Sequence, residues 1–146
     1  MQLSSLHDLL VRQLQALYSA EEQILKALPP KAKAANSPEV SNAFELDLKQ
    51  TEGQVKRLEQ VFEELGEKVK AEKCKAIEGL IAEGKELLKA KADPDTLDAA
   101  LIGAAQKVEH YEIAAYGTAR TWARQLAALP GSCSRRSTRK PRPTRS

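Results

Sequence analysis

From residue 3 to residue 129, apolar side chains recur every three or four positions and never sustain the alternation of a strand. That period puts them on one face of a helix, so the chain has to fold by packing helix faces together. The first segment, about residues 3–28, carries Leu3, Leu6, Leu10, Leu14, Leu17, Ile24 and Leu28. Pro29 and Pro30 then end or kink it, with a further turn available as far as residue 35. Asn36-Ser37-Pro38-Glu39 reads as a helix start, with Ser37 as N-cap and Pro38 in the first helical position. The second segment, about 38–65, carries Val40, Phe44, Leu48, Thr51, Val55, Leu58, Phe62 and Leu65, and Gly66 supplies its stop. A shorter helix over about 75–90 turns Ile77, Leu80, Ile81, Leu87 and Leu88 inward, and Asp93-Pro94-Asp95 breaks it. The fourth segment, about 95–129, carries Leu97, Leu101, Ala104 or Ala105, Val108, Glu112, Ala115 or Tyr116, Ala119 and Trp122. The fold class is all-α.

The net charge of +3 conceals two unlike parts. Residues 129–146 hold six of the 23 Lys and Arg and none of the 20 Asp and Glu, so the first 128 residues are acidic by three charges. This divides the chain into a helical domain, 1–129, and a basic, aperiodic tail, 130–146, expected to be disordered. The acidic body presents no basic stripe for specific nucleic-acid binding. No apolar run is long enough for a membrane span, and Asp8 and Arg12 break any signal-peptide pattern. The two cysteines, Cys74 and Cys133, sit in unlike surroundings and do not make a disulfide framework, so a cytoplasmic location is expected. No phosphate-cradling loop, nucleophile elbow or zinc spacing is present.

The chemistry-bearing feature is acid inside the apolar stripes. Glu21 lies between Leu17 and Ile24, Glu52 borders Leu48, Thr51 and Val55, and Glu109 and Glu112 share a face with Leu101, Ala105, Val108 and Tyr116. A carboxylate facing a core is costly unless paired, protonated or bound to a cation. Inward Glu side chains on bundle helices build di-iron and di-manganese centres, since oxygen donors suit both metals. The competing reading is glutamates at a stripe's edge that reach water. Cys74, Tyr18, Tyr111, Tyr116 and Trp122 are expected to serve packing.

Several stretches resemble one family. Leu17-Tyr18-Ser19-Ala20-Glu21-Glu22-Gln23, Gln50-Thr51-Glu52-Gly53-Gln54-Val55, Glu78-Gly79-Leu80-Ile81 and the run from Ala104 through Val108-Glu109-His110-Tyr111-Glu112 to Thr118 are similar to the bacterial YciE/YciF stress proteins, a ferritin-like group. The resemblance covers residues 3–126. It implies a rubrerythrin-type helical bundle, with the short helix in a long crossover. It also implies a carboxylate site for iron or manganese, dinuclear in the complete form, with Glu21, Glu52, Glu109 and Glu112 as metal ligands. Lys49 and Glu52 stand where such proteins carry Glu-x-x-His, and His110 belongs to the helix surface.

The family's last helix, which carries further acidic ligands, has no counterpart after Leu126. Codons for the family's Gln-Thr-Leu-Asp-Glu-Glu-Lys, read one base later, give Arg-Arg-Ser-Thr-Arg-Lys, the order at residues 135–140. A shifted reading frame is therefore the expected origin of the tail. The bundle is expected to lack most of its last helix, to expose a groove there, and to self-associate, as a homodimer for example, with no membrane or specific nucleic-acid partner. Two functions follow: a ferritin-like stress-response protein whose metal site is incomplete, or a non-catalytic structural bundle without metal, its acids paired with Lys49, Lys107, His110 or the tyrosines.

Overall fold

The computed structural model describes residues 1–129, so the expectations for the basic tail and Cys133 lie outside the described residues. Four helices follow one another: α1 (Leu6–Ala34), α2 (Pro38–Leu65), α3 (Lys75–Lys89) and α4 (Pro94–Ala128). There is no strand among the described residues. Among the described residues no helix is long and apolar enough to cross a membrane.

The ends of the helices follow local chemistry. Ser5 caps α1 by accepting the Asp8 N–H, and Asp93 caps α4 by accepting the Thr96 N–H. Pro38 and Pro94 occupy first-turn positions whose N–H would have no helical partner anyway. Gly66 takes φ 71°, the left-handed conformation that closes α2, and its N–H bonds back to Glu63 O.

One boundary takes the longer of the two courses the prolines left open. Residues 29 and 30 are both proline, yet α1 continues unbroken to Ala34. Tertiary contact holds the extra turn: Leu28, Lys31 and Ala32 are buried, and Ser41 Oγ donates to Ala32 O at 2.9 Å. The chain then reverses under Asp98 of α4, whose carboxylate accepts the N–H of Asn36 at 2.7 Å and of Ser37 at 2.8 Å. Asp98 is 7 % exposed. Asp98→Ala strands both donors, and we expect a loss of about 2–4 kcal/mol in urea unfolding. A loss below about 0.5 kcal/mol would show that the turn holds itself.

α1 is the central rod and packs against α2, α3 and α4. Two apolar clusters result. Leu10, Leu14 and Leu17 of α1 meet Leu58 and Phe62 of α2 and Ala115 and Ala119 of α4. Further along, Ile24, Ala27 and Leu28 meet Phe44, Cys74, Ile77, Ile81, Leu101 and Val108. The connection after α2 lies across α1, with Glu72 N–H bonding to Gln15 O at 3.1 Å. α2 and α4 flank α1 with little direct packing between them. A cleft of about 250 Å³ opens there.

Candidate functional site

The cleft is floored by Ile24, Ala27 and Leu28 of α1, walled by Phe44 and Val108, and rimmed by polar groups. Helical register places them. Asp47, Thr51, Gln54 and Leu58 follow at steps of four, three and four on the α2 face turned to α1, and Glu109 and Glu112 stand one turn apart on α4.

Glu21 is wholly buried. With the Gln54 amide turned so that its nitrogen faces the acids, that nitrogen donates to Glu21 Oε2 at 2.9 Å and to Glu112 Oε2 at 3.2 Å. Burial first, then the adjacent Glu112, pushes the Glu21 carboxyl up to about 9, so at neutral pH it keeps its proton. Burial likewise raises Glu112, helped by the charges of Asp47 and Glu109. Asp47 is raised by burial and by Glu109. Glu112 thus stands between Glu21 on one side and Asp47 and Glu109 on the other.

Two buried atoms beside this cluster have no hydrogen-bond partner among the described residues, Glu21 Oε1 and Tyr116 Oη. Burial, then the charges of Glu21 and Glu112, raise the Tyr116 phenol far above its ordinary value. Tyr111 is raised similarly; burial and its contact with Cys74 Sγ at 2.9 Å are the main causes. Both tyrosines stay protonated and act as neutral, polarisable walls.

The four residues expected as ligands are therefore divided. Glu21 and Glu112 meet. Glu109 lines the cleft from its exposed edge. Glu52 does not join them: it is exposed, because Thr51 takes the inward position of that turn and bonds its hydroxyl to Asp47 O at 2.8 Å. Glu52 neighbours the stripe in sequence but lies one position, about 100° of helix, away from it. Among the described residues, no three His, Cys, Asp or Glu side chains are close enough together to hold a metal ion between them. The expected pairing partners differ as well. Lys107 reaches Glu83 of α3 at 3.5 Å, His110 Nδ1 contacts Gln106 O at 2.8 Å on the surface, and Lys49 is exposed. The partner of the inner acids is Gln54, while Tyr111, held by Cys74, and Tyr116 stand near enough for the acids' charge to raise their phenols. Asp47 and Gln54 were readable only by continuing the Phe44–Thr51–Leu58 face through its polar members.

Comparisons with known proteins agree on the kinship. The model of the family described as Domain of unknown function (DUF892) matches residues 5–130. Protein YciF of Escherichia coli (strain K12) is 46% identical over 127 residues, which is 86% of this chain and 76% of that protein. The crystal structure of the E. coli stress protein YciF superposes with a TM-score of 0.82 at 45% identity, covering 86% of this chain and 79% of that one. YcfI of Rhodopseudomonas palustris, proposed to be a structural protein, superposes with a TM-score of 0.83 at 44% identity, covering 85% of this chain and 79% of that one. A fold built on an acid-lined helical cleft, a family match across most of the chain and this degree of identity have one meaning: the chain belongs to the DUF892 family of YciF-type helical proteins.

Proposed function

We propose that this chain is a stress-response bundle protein whose acidic cleft takes up one divalent transition-metal ion, iron(II) or manganese(II). The observation that carries this reading is Glu21: a wholly buried carboxyl with one oxygen unpartnered, beside Glu112, which in turn senses Asp47 and Glu109. The donor chemistry fits such an ion, since every candidate atom is oxygen. Glu21 and Glu112 would hold it, with Glu109 and Asp47 completing the charge from the open side. With Glu52 exposed and no three ligating side chains together among the described residues, the proposal is one ion held by two carboxylates, the rest of its shell filled by water. Bound there, the ion supplies Lewis acidity and one-electron redox capacity. The chain's own part is to release the Glu21 proton, to let the Gln54 amide swing off the two carboxylates, and to exclude water with Leu17, Ile24 and Val108. The stress setting follows from the likeness to YciF.

Manganese(II) calorimetry tests the site. The expected result is one ion per chain, with affinity lowered by roughly 100-fold or more in Glu112→Ala, as for loss of a direct ligand. Glu52→Gln is expected to leave it within about twofold, because an exposed charge at that distance is screened. Equal affinity in wild type and Glu112→Ala would remove the assignment.

A second reading has its own support. A protonated Glu21 and the Gln54 amide that bridges both carboxyls leave a single negative charge on the Glu21–Glu112 pair without any ion, as a purely structural bundle requires. YcfI, proposed to be structural, has the same fold. Protein that retains no metal after loading with either ion would establish this alternative.

A further inference from the structure

The cleft has a second pole. Ten residues beyond Glu21 on α1, about 15 Å along the helix, Lys31 enters the same cavity. It is 4 % exposed, and among the described residues no carboxylate forms an ion pair with it. Burial alone lowers its pKa; no neighbouring acid enters as a cause. Its ammonium occupies space left free by a missing side chain, since a Cβ added at Gly84 of α3 would lie 3.3 Å from both Lys31 Cε and Nζ. A buried, unpaired cation is among the costliest groups a core can hold. Lys31 also lines the cleft, together with Leu28, Phe44, Ile81, Ala105 and Val108.

We propose that the Lys31 end of the cleft is a binding site for a straight-chain aliphatic carboxylate, its head group on the Lys31 ammonium and its chain against Leu28, Phe44, Ile81 and Val108. The residue types fix this class. Lys31 is the only basic residue lining the cavity, so the site offers one positive charge and suits a monoanion. A phosphate would call for a bidentate arginine or a cradle of backbone N–H groups. The cavity's apolar lining, with Leu28, Phe44, Ile81 and Val108, takes a hydrocarbon chain, while Asp47, Glu109 and Glu112 in the same lining repel any further negative charge. The whole cleft measures about 250 Å³ and one end of it is acidic, which favours a short chain such as octanoate. The acids at the opposite pole exclude a longer ligand with a second negative charge. The site does not depend on metal binding at Glu21 and Glu112.

Octanoate and octanol are the probes, titrated into the metal-free full chain at pH 7 by calorimetry and by methyl NMR. Octanoate is expected to bind at least tenfold more tightly than octanol and to shift the Ile81, Leu28 and Val108 methyls. Lys31→Met, which keeps the length of the side chain and removes its charge, is expected to weaken octanoate at least tenfold and leave octanol unchanged. The octanoate–octanol contrast in wild type stands even if the variant folds poorly. Equal binding of the two probes, octanoate binding that survives Lys31→Met, or no shift at those methyls would each overturn the proposal.

Discussion

Glu21→Gln is expected to make the metal-free protein more stable at pH 8 by on the order of 2–4 kcal/mol, and to flatten the dependence of its stability on pH. The sign follows from where the proton is. Glu21 holds its proton to about pH 9 when folded, against 4.5 as its ordinary value. Below about pH 4.5 both folded and unfolded chains carry that proton, and the stabilising contribution of the buried neutral acid is complete. Between there and about pH 9 the unfolded chain releases it and the folded chain does not. Stability therefore falls as pH rises, until the folded carboxyl ionises as well. Glutamine keeps the shape, can donate to Glu112 and can accept from Gln54, but has no proton to lose. Urea unfolding at pH 5, 6.5 and 8, with chelator present, checks this. Wild type should lose stability more steeply across the series than the variant, in which only the raised Glu112 and Asp47 still contribute. Parallel profiles would mean that Glu21 is already ionised in the folded protein.

Phe62→Ala is expected to cost about 3–5 kcal/mol. Phe62 is fully buried where α1, α2 and α4 meet, among Leu10, Leu14, Leu17 and Ala119. The ring of Tyr18 stands edge-on to it, with centroids 6.2 Å apart, and is held there by a 3.0 Å hydrogen bond to Glu59. Removing the ring leaves a cavity that neither a small residue such as Ala119 nor the tethered Tyr18 can fill. Thermal and urea denaturation read the loss directly. A cost under about 1 kcal/mol would mean that α2 closes onto α1, which a single contacting cluster of this shape does not predict.

The reasons these elements were legible in the sequence differ from the reasons the site was only half so. Helix positions follow from periodicity and end signals, and those are local. Ser37-Pro38 opens α2, Gly66 closes it, and Asp93-Pro94 opens α4 at the residues their chemistry indicates. Pro29-Pro30 leaves two courses open because the force that carries α1 past them comes from α3 and α4, through Leu28 and Ala32, and from Ser41. The burial of Glu21 and its meeting with Glu112 follow from their places inside two apolar stripes. Glu52 misleads because a residue at a stripe's edge can face either way, and the small hydroxyl of Thr51 fills the inward position more cheaply by bonding to Asp47 O. Asp47, Gln54 and Lys31 escape a search based on apolar spacing. Each is a polar member of a buried face, and burial of a polar group becomes visible only when the neighbouring helix is in place.

Proton release on manganese(II) binding tests the central claim most directly, because it links the buried protonated carboxyl to the metal. Titration at pH 7 in two buffers of different ionisation enthalpy counts those protons. The account predicts one ion per chain and about one proton released for each ion bound, as Glu21 gives up its hydrogen to become a ligand. Binding that releases no proton, or no binding at all, would contradict it.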